Sequence, residues 1–143
     1  MKGMDLNMEI VKCNIGDVDT LAAMNKQLIE DEKHDNTMNV PQLAERMKDL
    51  LSGTYSAFYL TDNGTVLGYA LINTAASPIF LRHFFICREY RRRGYGRKFV
   101  HMLLDYFDIT SMDTDVLSWN KAAITFWNHM GFRPRSIHMR YKV

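Results

Sequence analysis

Apolar and polar positions repeat along this chain with two different periods, and the places where the period changes mark its elements. Met8 to Val11 reads as a short first strand. From Asp17 to Asp31 the spacing is helical, with Val18, Leu21, Met24 and Leu28 on one face. A polar stretch, Glu30 to Thr37, leads to a second helical segment. Pro41 opens it, as proline does in a first turn; Leu43, Met47 and Leu50 give it a buried side, and Gly53 closes it. Tyr55 to Thr61 and Thr65 to Asn73 are rich in aromatic and aliphatic residues and flank Asp62-Asn63-Gly64, whose Asn-Gly step suits the left-handed backbone of a tight hairpin. After a turn over Ala75 to Pro78, Ile79 to Cys87 is apolar on both faces apart from Arg82 and His83, which predicts a central strand. Gly94 to Phe107 returns to the helical period through Phe99, Val100, Leu103, Leu104 and Phe107. A strand from Thr114 to Trp119 then runs into Asn120, a helix cap placed before Ala122, Ala123, Phe126 and Met130. Gly131 ends that helix as a left-handed residue, Phe132 folds back onto it, and Ser136 to Lys142 reads as a last strand.

Two helices, a hairpin, then strand, helix, strand, helix, strand describe a mixed α/β sandwich with helices on both faces of its sheet. The 143 residues, 47% apolar with aromatics spread throughout, suffice for one domain, with residues 1–7 expected to be flexible. No apolar run is long enough to span a bilayer, and the polar start, with Asp5 where an apolar stretch would begin, does not read as a secretory signal. The reading is therefore a cytoplasmic protein without membrane attachment. Cys13 and Cys87 form no metal or disulfide spacing, and the five histidines show no paired motif, so no metal is expected.

The net charge of +2 becomes informative only when it is placed. Arg88, Arg91, Arg92, Arg93, Arg97 and Lys98 stand against Glu89 alone, while the rest of the chain carries 12 bases and 15 acids. A nucleic-acid surface would spread its charge over several elements; concentration at one turn suits a compact polyanion. That turn, Gly94-Tyr95-Gly96, lies between a strand and a helix, where unpaired backbone N–H groups and the positive end of the helix dipole converge on phosphate. Its glycines admit backbone angles closed to other residues and let a diphosphate approach, with Arg91, Arg92, Arg93 and Arg97 supplying charge. Taken alone, the same turn also reads as a plain solvated basic turn.

The segment Phe84-Phe85-Ile86-Cys87-Arg88-Glu89-Tyr90-Arg91-Arg92-Arg93-Gly94-Tyr95-Gly96-Arg97 resembles the acetyl-CoA signature of the GNAT superfamily of N-acetyltransferases, an apolar strand followed by (Gln/Arg)-x-x-Gly-x-(Gly/Ala). Downstream, Asn120-x-x-Ala123-x-x-Phe126-Trp127-x-x-x-Gly131-Phe132 is similar to the superfamily's second motif. The resemblance covers nearly the whole chain. It implies one acetyltransferase domain over residues 1–143, built on a mixed, mostly antiparallel sheet of about six to seven strands. It further implies acetyl-CoA as cosubstrate, with the main chain of Phe85 and Ile86 pairing with the pantetheine arm. The diphosphate would lie on the amides from Arg92 through Arg97, and Asn120 would bond near the thiol end.

One departure bears on catalysis. Where most of the superfamily carries a tyrosine able to protonate the departing thiolate, this chain has Trp127, whose indole is no acid near neutral pH. Trp127 is thus expected to be catalytically passive or simply a core aromatic. A thiolate derived from a thiol of pKa ~8.5 leaves without much help, so water can protonate it. The attacking amine still needs a base. The positions that match the bases of a histone-modifying branch and an arylalkylamine branch hold Phe80 and Arg82. His83 and Glu32 remain as candidates, with a buried core histidine as the plainer reading of His83. The acidic cluster Glu30, Asp31, Glu32 and Asp35, with His34, lies where the superfamily lines its acceptor site and would attract a cationic amine; an exposed charged loop is the plainer reading. Small-molecule and peptide amines both remain open as acceptors, as does a homodimer. The competing readings are a non-catalytic acyl-CoA-binding module and, less suited to the charge pattern, a nucleic-acid binder.

Overall fold

The computed structural model describes residues 7–143. The flexible start expected over residues 1–7 lies outside them except for Asn7, whose carbonyl accepts the Asn63 N–H at 2.9 Å. The chain runs β1 (Met8–Lys12), a 3-10 turn (Ile15–Asp17), α1 (Val18–Glu32), α2 (Val40–Ser52), β2 (Tyr55–Asp62), β3 (Thr65–Asn73), β4 (Phe80–Ile86), a second 3-10 turn (Arg88–Tyr90), α3 (Tyr95–Phe107), β5 (Asp113–Thr114) and α4 (Lys121–Met130). Local chemistry sets the limits. Lys33, in a left-handed conformation at φ 51°, ends α1. Asn39 and Gln42 cap α2 reciprocally, each backbone N–H donating to the other's side chain at 2.8 and 2.9 Å.

The sheet order is β1-β2-β3-β4-β5. Its first four strands are antiparallel neighbours, and β5 joins β4 in parallel. Strand alternation sorts the core into two layers. Phe58, Leu60, Ala70, Ile72 and Leu81 face Phe99, Val100 and Leu103 of α3 and Trp127 of α4. Ala57, Tyr59, Tyr69, Leu71 and Phe85 face Leu21, Met24 and Leu28 of α1 and Met47 of α2. Helices therefore cover both faces, as the sequence implies. Among the described residues no helix is long and apolar enough to cross a membrane.

Four strand expectations change. Among the described residues the sheet has five strands rather than six or seven. The stretch read as a strand from Thr114 to Trp119 pairs only over Asp113–Thr114, because β4 parts from it beyond Leu81 and removes the partner that a ladder needs. Residues 136–142 have no strand partner among the described residues. Finally, β4 is not central: beyond Leu81 its outer edge has no strand partner among the described residues, and its apolar character on both faces comes from the helix layers rather than from flanking strands.

Candidate active site

The parting of β4 and β5 creates the main structural feature of the site. The two strands are held where the Asp113 N–H donates to the Ile79 carbonyl at 3.0 Å and the Thr114 hydroxyl donates to the Leu81 carbonyl at 2.8 Å. Past that point the β4 edge has no strand beside it. The Cys87 N–H donates inward to the Leu67 carbonyl of β3 at 2.8 Å. Two-residue alternation therefore turns the main-chain groups of Ile86 toward the open edge and those of Phe85 toward β3. The Phe85 side chain is buried beneath.

At the end of this edge the chain makes its turn into α3. Arg92 adopts φ 65° and Gly94 φ 81°, the latter as the left-handed residue that starts the helix. No side chain caps α3, and its first internal bond runs from the Lys98 N–H to the Gly94 carbonyl at 3.2 Å. The N–H groups of Tyr95, Gly96 and Arg97 thus lack intrahelical partners, at the positive end of the helix dipole. A Cβ on Gly94 would meet nothing within 4 Å, so open space adjoins its backbone. A Cβ on Gly96 would stand 3.2 Å from the Phe126 ring, so glycine there lets α3 and α4 close together.

The arginines divide into two sets. Arg91 donates through Nε to the Ile86 carbonyl at 2.8 Å, lies over the Phe85 ring at 5.2 Å and pairs with Asp31 at 2.6 Å. Arg88 binds the same carboxylate at 2.8 Å and Glu30 at 3.2 Å. These two bases tie α1 to the turn. Arg92, Arg93 and Arg97 are exposed around it, with Arg93 over the Tyr90 ring at 6.0 Å.

This clamp also sorts the acidic cluster. Partial burial pushes the Asp31 carboxyl up, but hydrogen bonds and charge from Arg88 and Arg91 outweigh it and hold the group below the usual carboxylate range. Asp35 pairs with Arg140 at 3.1 Å and with His34 at 3.2 Å. Glu32 differs from the other three. Burial first, and the Asp31 charge second, raise its carboxyl above the usual range. Its main-chain carbonyl takes the Trp119 indole N–H at 3.0 Å, which holds the end of α1 against the segment that follows β5.

His83 is buried on the α1–α2 side of the sheet, its Nδ1 3.1 Å from the Tyr69 hydroxyl. Burial, then the charges of Arg46, Arg82 and His34, push its pKa down to about 3. Arg82, its neighbour, faces outward over the Tyr55 ring. Trp127 is 8% exposed and packs within an aromatic cluster, 5.2 Å from Phe84 and 4.8 Å from both Phe126 and Phe132. Asn120 caps α4, its side chain accepting the Ala123 N–H at 3.2 Å.

The sequence matches the acetyltransferase (GNAT) family over residues 23–132. The chain belongs to that family. Over 90 residues it is 27% identical to the [ribosomal protein bS18]-alanine N-acetyltransferase of Escherichia coli K12, covering 61% of each chain, so the match spans less than two thirds of that relative's length. A possible acetyltransferase from Clostridium difficile 630 superposes with a TM-score of 0.76 at 20% identity, covering 95% of this chain and 97% of the other. The aminoglycoside N-acetyltransferase AAC(6')-Iy, solved with CoA, gives 0.72 at 17% identity, covering 95% and 94%. Such likeness establishes the GNAT fold, with the open β4 edge and the α3 turn set inside the matched region.

Several polar groups near the site were not singled out by sequence. Asn25 lies on the buried face of α1 with both amide atoms unpartnered, and the Arg46 Nε on α2 is likewise buried without a partner. Tyr69 completes the set with His83. A polar residue on a helix's apolar stripe, as Asn25 is between Met24 and Leu28, was the available signal. Along α2 an open groove of about 520 Å³ is lined by Met38, Pro41, Gln42, Glu45, Arg46 and Asp49. It includes no residue of β4 or the glycine turn and so is separate from the unpaired β4 edge.

Proposed function

We propose that this chain is a single-domain N-acetyltransferase that moves the acetyl group of acetyl-CoA to a primary amine by direct attack. The observation that carries this reading is the unpaired edge of β4 leading to the uncapped start of α3. An extended, amide-bearing arm can add to that edge as a strand adds to a sheet, and a diphosphate can lie on the exposed N–H groups. Ile86, Arg92, Arg93, Gly94, Tyr95, Gly96 and Arg97 form the direct contacts in this reading, while Arg91 and Phe85 support the edge from behind. Asn120 caps the start of α4 and in this reading bonds near the thiol end.

The amine nitrogen attacks the thioester carbonyl, the carbon–sulfur bond breaks, and the thiolate leaves and takes a proton from water. The nitrogen must first lose a proton. His83, with a pKa near 3 and little exposure, is a weak and inaccessible base. Glu32 is the better one: raising a carboxyl's pKa increases the basicity of its carboxylate. The relatives' names, an alanine N-acetyltransferase and an aminoglycoside N-acetyltransferase, both place acetyl on nitrogen, which supports an amine acceptor. Glu32, with Glu30 and Asp35 nearby, would favour a cationic one. The setting we assign is the cytoplasm, in keeping with two free thiols.

The test is thioester consumption across a panel of peptide and small-molecule amines. Turnover with at least one amine is expected, and Glu32→Gln should lower kcat by about 10²–10³ with unchanged acetyl-CoA affinity. Binding of acetyl-CoA without turnover on any amine would instead favour a non-catalytic acyl-CoA-binding module. A Glu32→Gln enzyme of full kcat would remove the residue from the chemistry.

A further inference from the structure

Two consecutive residues of β4 share one face of the sheet. Leu81 lies opposite Ile72 and His83 opposite Leu71, so Arg82 is an extra residue with no partner on β3. Such a bulge re-aims a side chain. Leu81 and Ile72 belong to the layer beneath α3 and α4, and Leu71 to the layer beneath α1 and α2. Arg82 and His83 therefore both come out on the α1–α2 side. Arg82 is held there by Tyr55, over whose ring it lies at 5.5 Å and to whose hydroxyl its Nη1 donates at 3.4 Å.

From α2, Arg46 approaches both of them: its charge acts on His83, and that of Arg82 acts on it. Its Nε is buried with no hydrogen-bond partner. Among the described residues it joins no ion pair, although Glu45 and Asp49 line the same groove. Two guanidinium groups thus converge with no carboxylate between them. Arg88 and Arg91 show the contrast, since they meet on Asp31 at 2.8 and 2.6 Å. A guanidinium carries five donors in a fork that fits an oxyanion, and a bound anion would relieve the repulsion between the two. Glu32 is not that anion. Its charge and that of Arg46 act on buried Tyr69 in opposite senses, yet the two groups form no ion pair. Acid and base both stand near one tyrosine, each left open.

We propose that Arg46 and Arg82 bind an oxyanion carried by the acceptor, a carboxylate or a phosphate, while Glu32 receives its amine. The acceptor is then dipolar, an amino acid or an aminoalkyl phosphate rather than a polycation. Arg46 is half-buried and lines the groove along α2, so solvent reaches it. The placement of the amine at Glu32 rests on the acetyl transfer proposed above; the oxyanion site does not.

Matched acceptors test this: β-alanine against ethylamine, γ-aminobutyrate against propylamine, ε-aminocaproate against pentylamine, and phosphoethanolamine against ethanolamine. In at least one pair the oxyanion-bearing member should have a kcat/KM about tenfold higher or more, and Arg46→Gln and Arg82→Gln should each bring that ratio near one, through KM. Arg46→Lys, which keeps the charge and loses the fork, should retain part of it. Arg82 is exposed, so its variant guards against loss of fold in the other. The pair that shows the advantage tells carboxylate from phosphate. Equal kcat/KM within every pair, or an advantage that survives both substitutions, would overturn the proposal. Absence of turnover on every amine would count against acetyl transfer instead. Titration calorimetry of the same acceptors into the parent chain then decides: binding of an oxyanion-bearing member that is lost in Arg46→Gln is expected, and binding no tighter than that of the neutral amines would overturn it.

Discussion

His83 is held neutral by a setting that no single contact explains. It is buried, shares a hydrogen bond with Tyr69, and is surrounded by the positive charge of Arg46 and Arg82 and by His34. Protonation would place another charge among these groups, which is why its pKa falls from 6.5 to about 3. A depressed value means that the unfolded chain binds the proton first. The stabilisation is therefore complete above pH 6.5 and is lost as pH falls toward 3. Between pH 6.5 and 4.5 the parent chain should lose on the order of 2 kcal/mol more stability than His83→Gln, as urea unfolding at both pH values would read. Equal losses would mean that the histidine titrates normally. Trp127 raises a different question, since it occupies a position that elsewhere in the superfamily supplies a proton. Its three aromatic neighbours give it a packing role, so Trp127→Phe should lower stability by about 1–2 kcal/mol while kcat stays within about tenfold. Thermal melting and saturating kinetics separate these effects, and a thousandfold fall in kcat would assign Trp127 to the chemistry.

Between strand and helix, the element on which the proposed site rests most is the turn from Arg91 to Gly96. Gly94 adopts φ 81° with open space where a Cβ would be. Gly94→Ala should then cost about 1–2 kcal/mol of strain and reduce acetyl-CoA affinity, because the added methyl stands where the diphosphate would approach. Titration calorimetry on a folded variant with unchanged affinity would displace the turn from that role. The backbone geometry of the turn was legible in the sequence, because a left-handed entry to a helix favours glycine at that position. The sorting of its arginines was not. Nothing in Arg88-x-x-Arg91 says that both bases reach 57 and 60 residues back to Asp31, since such pairings depend on how α1 lies across the sheet. They lower the free positive charge at the turn, and with it the case for a nucleic-acid surface. Asn25 and Arg46 escaped notice for the same reason: their unpartnered atoms become evident only once two helices and a sheet enclose them.

Across the whole molecule, the helices and the hairpin followed from local periodicity, because each buries one face against a sheet wherever that sheet runs. Residues 114–119 and 136–142 carry the strand period as clearly as β2 does, yet mostly stand outside the ladder. Periodicity reports which side of a segment seeks burial; whether another strand lies alongside is decided by the fold. The division of β4 from β5 has a thermodynamic side as well. Their paired positions are Phe80–Asp113 and Leu81–Thr114, so the ladder between the two strands is confined to one end of a seam. An arm that bridges the rest of that seam binds the folded chain and not the unfolded one, and at a hundred times its dissociation constant it adds about 2.7 kcal/mol to stability. Supply of the acyl donor would then govern how firmly the protein is closed, and a cell short of it would hold the same sequence as a looser, more readily degraded molecule.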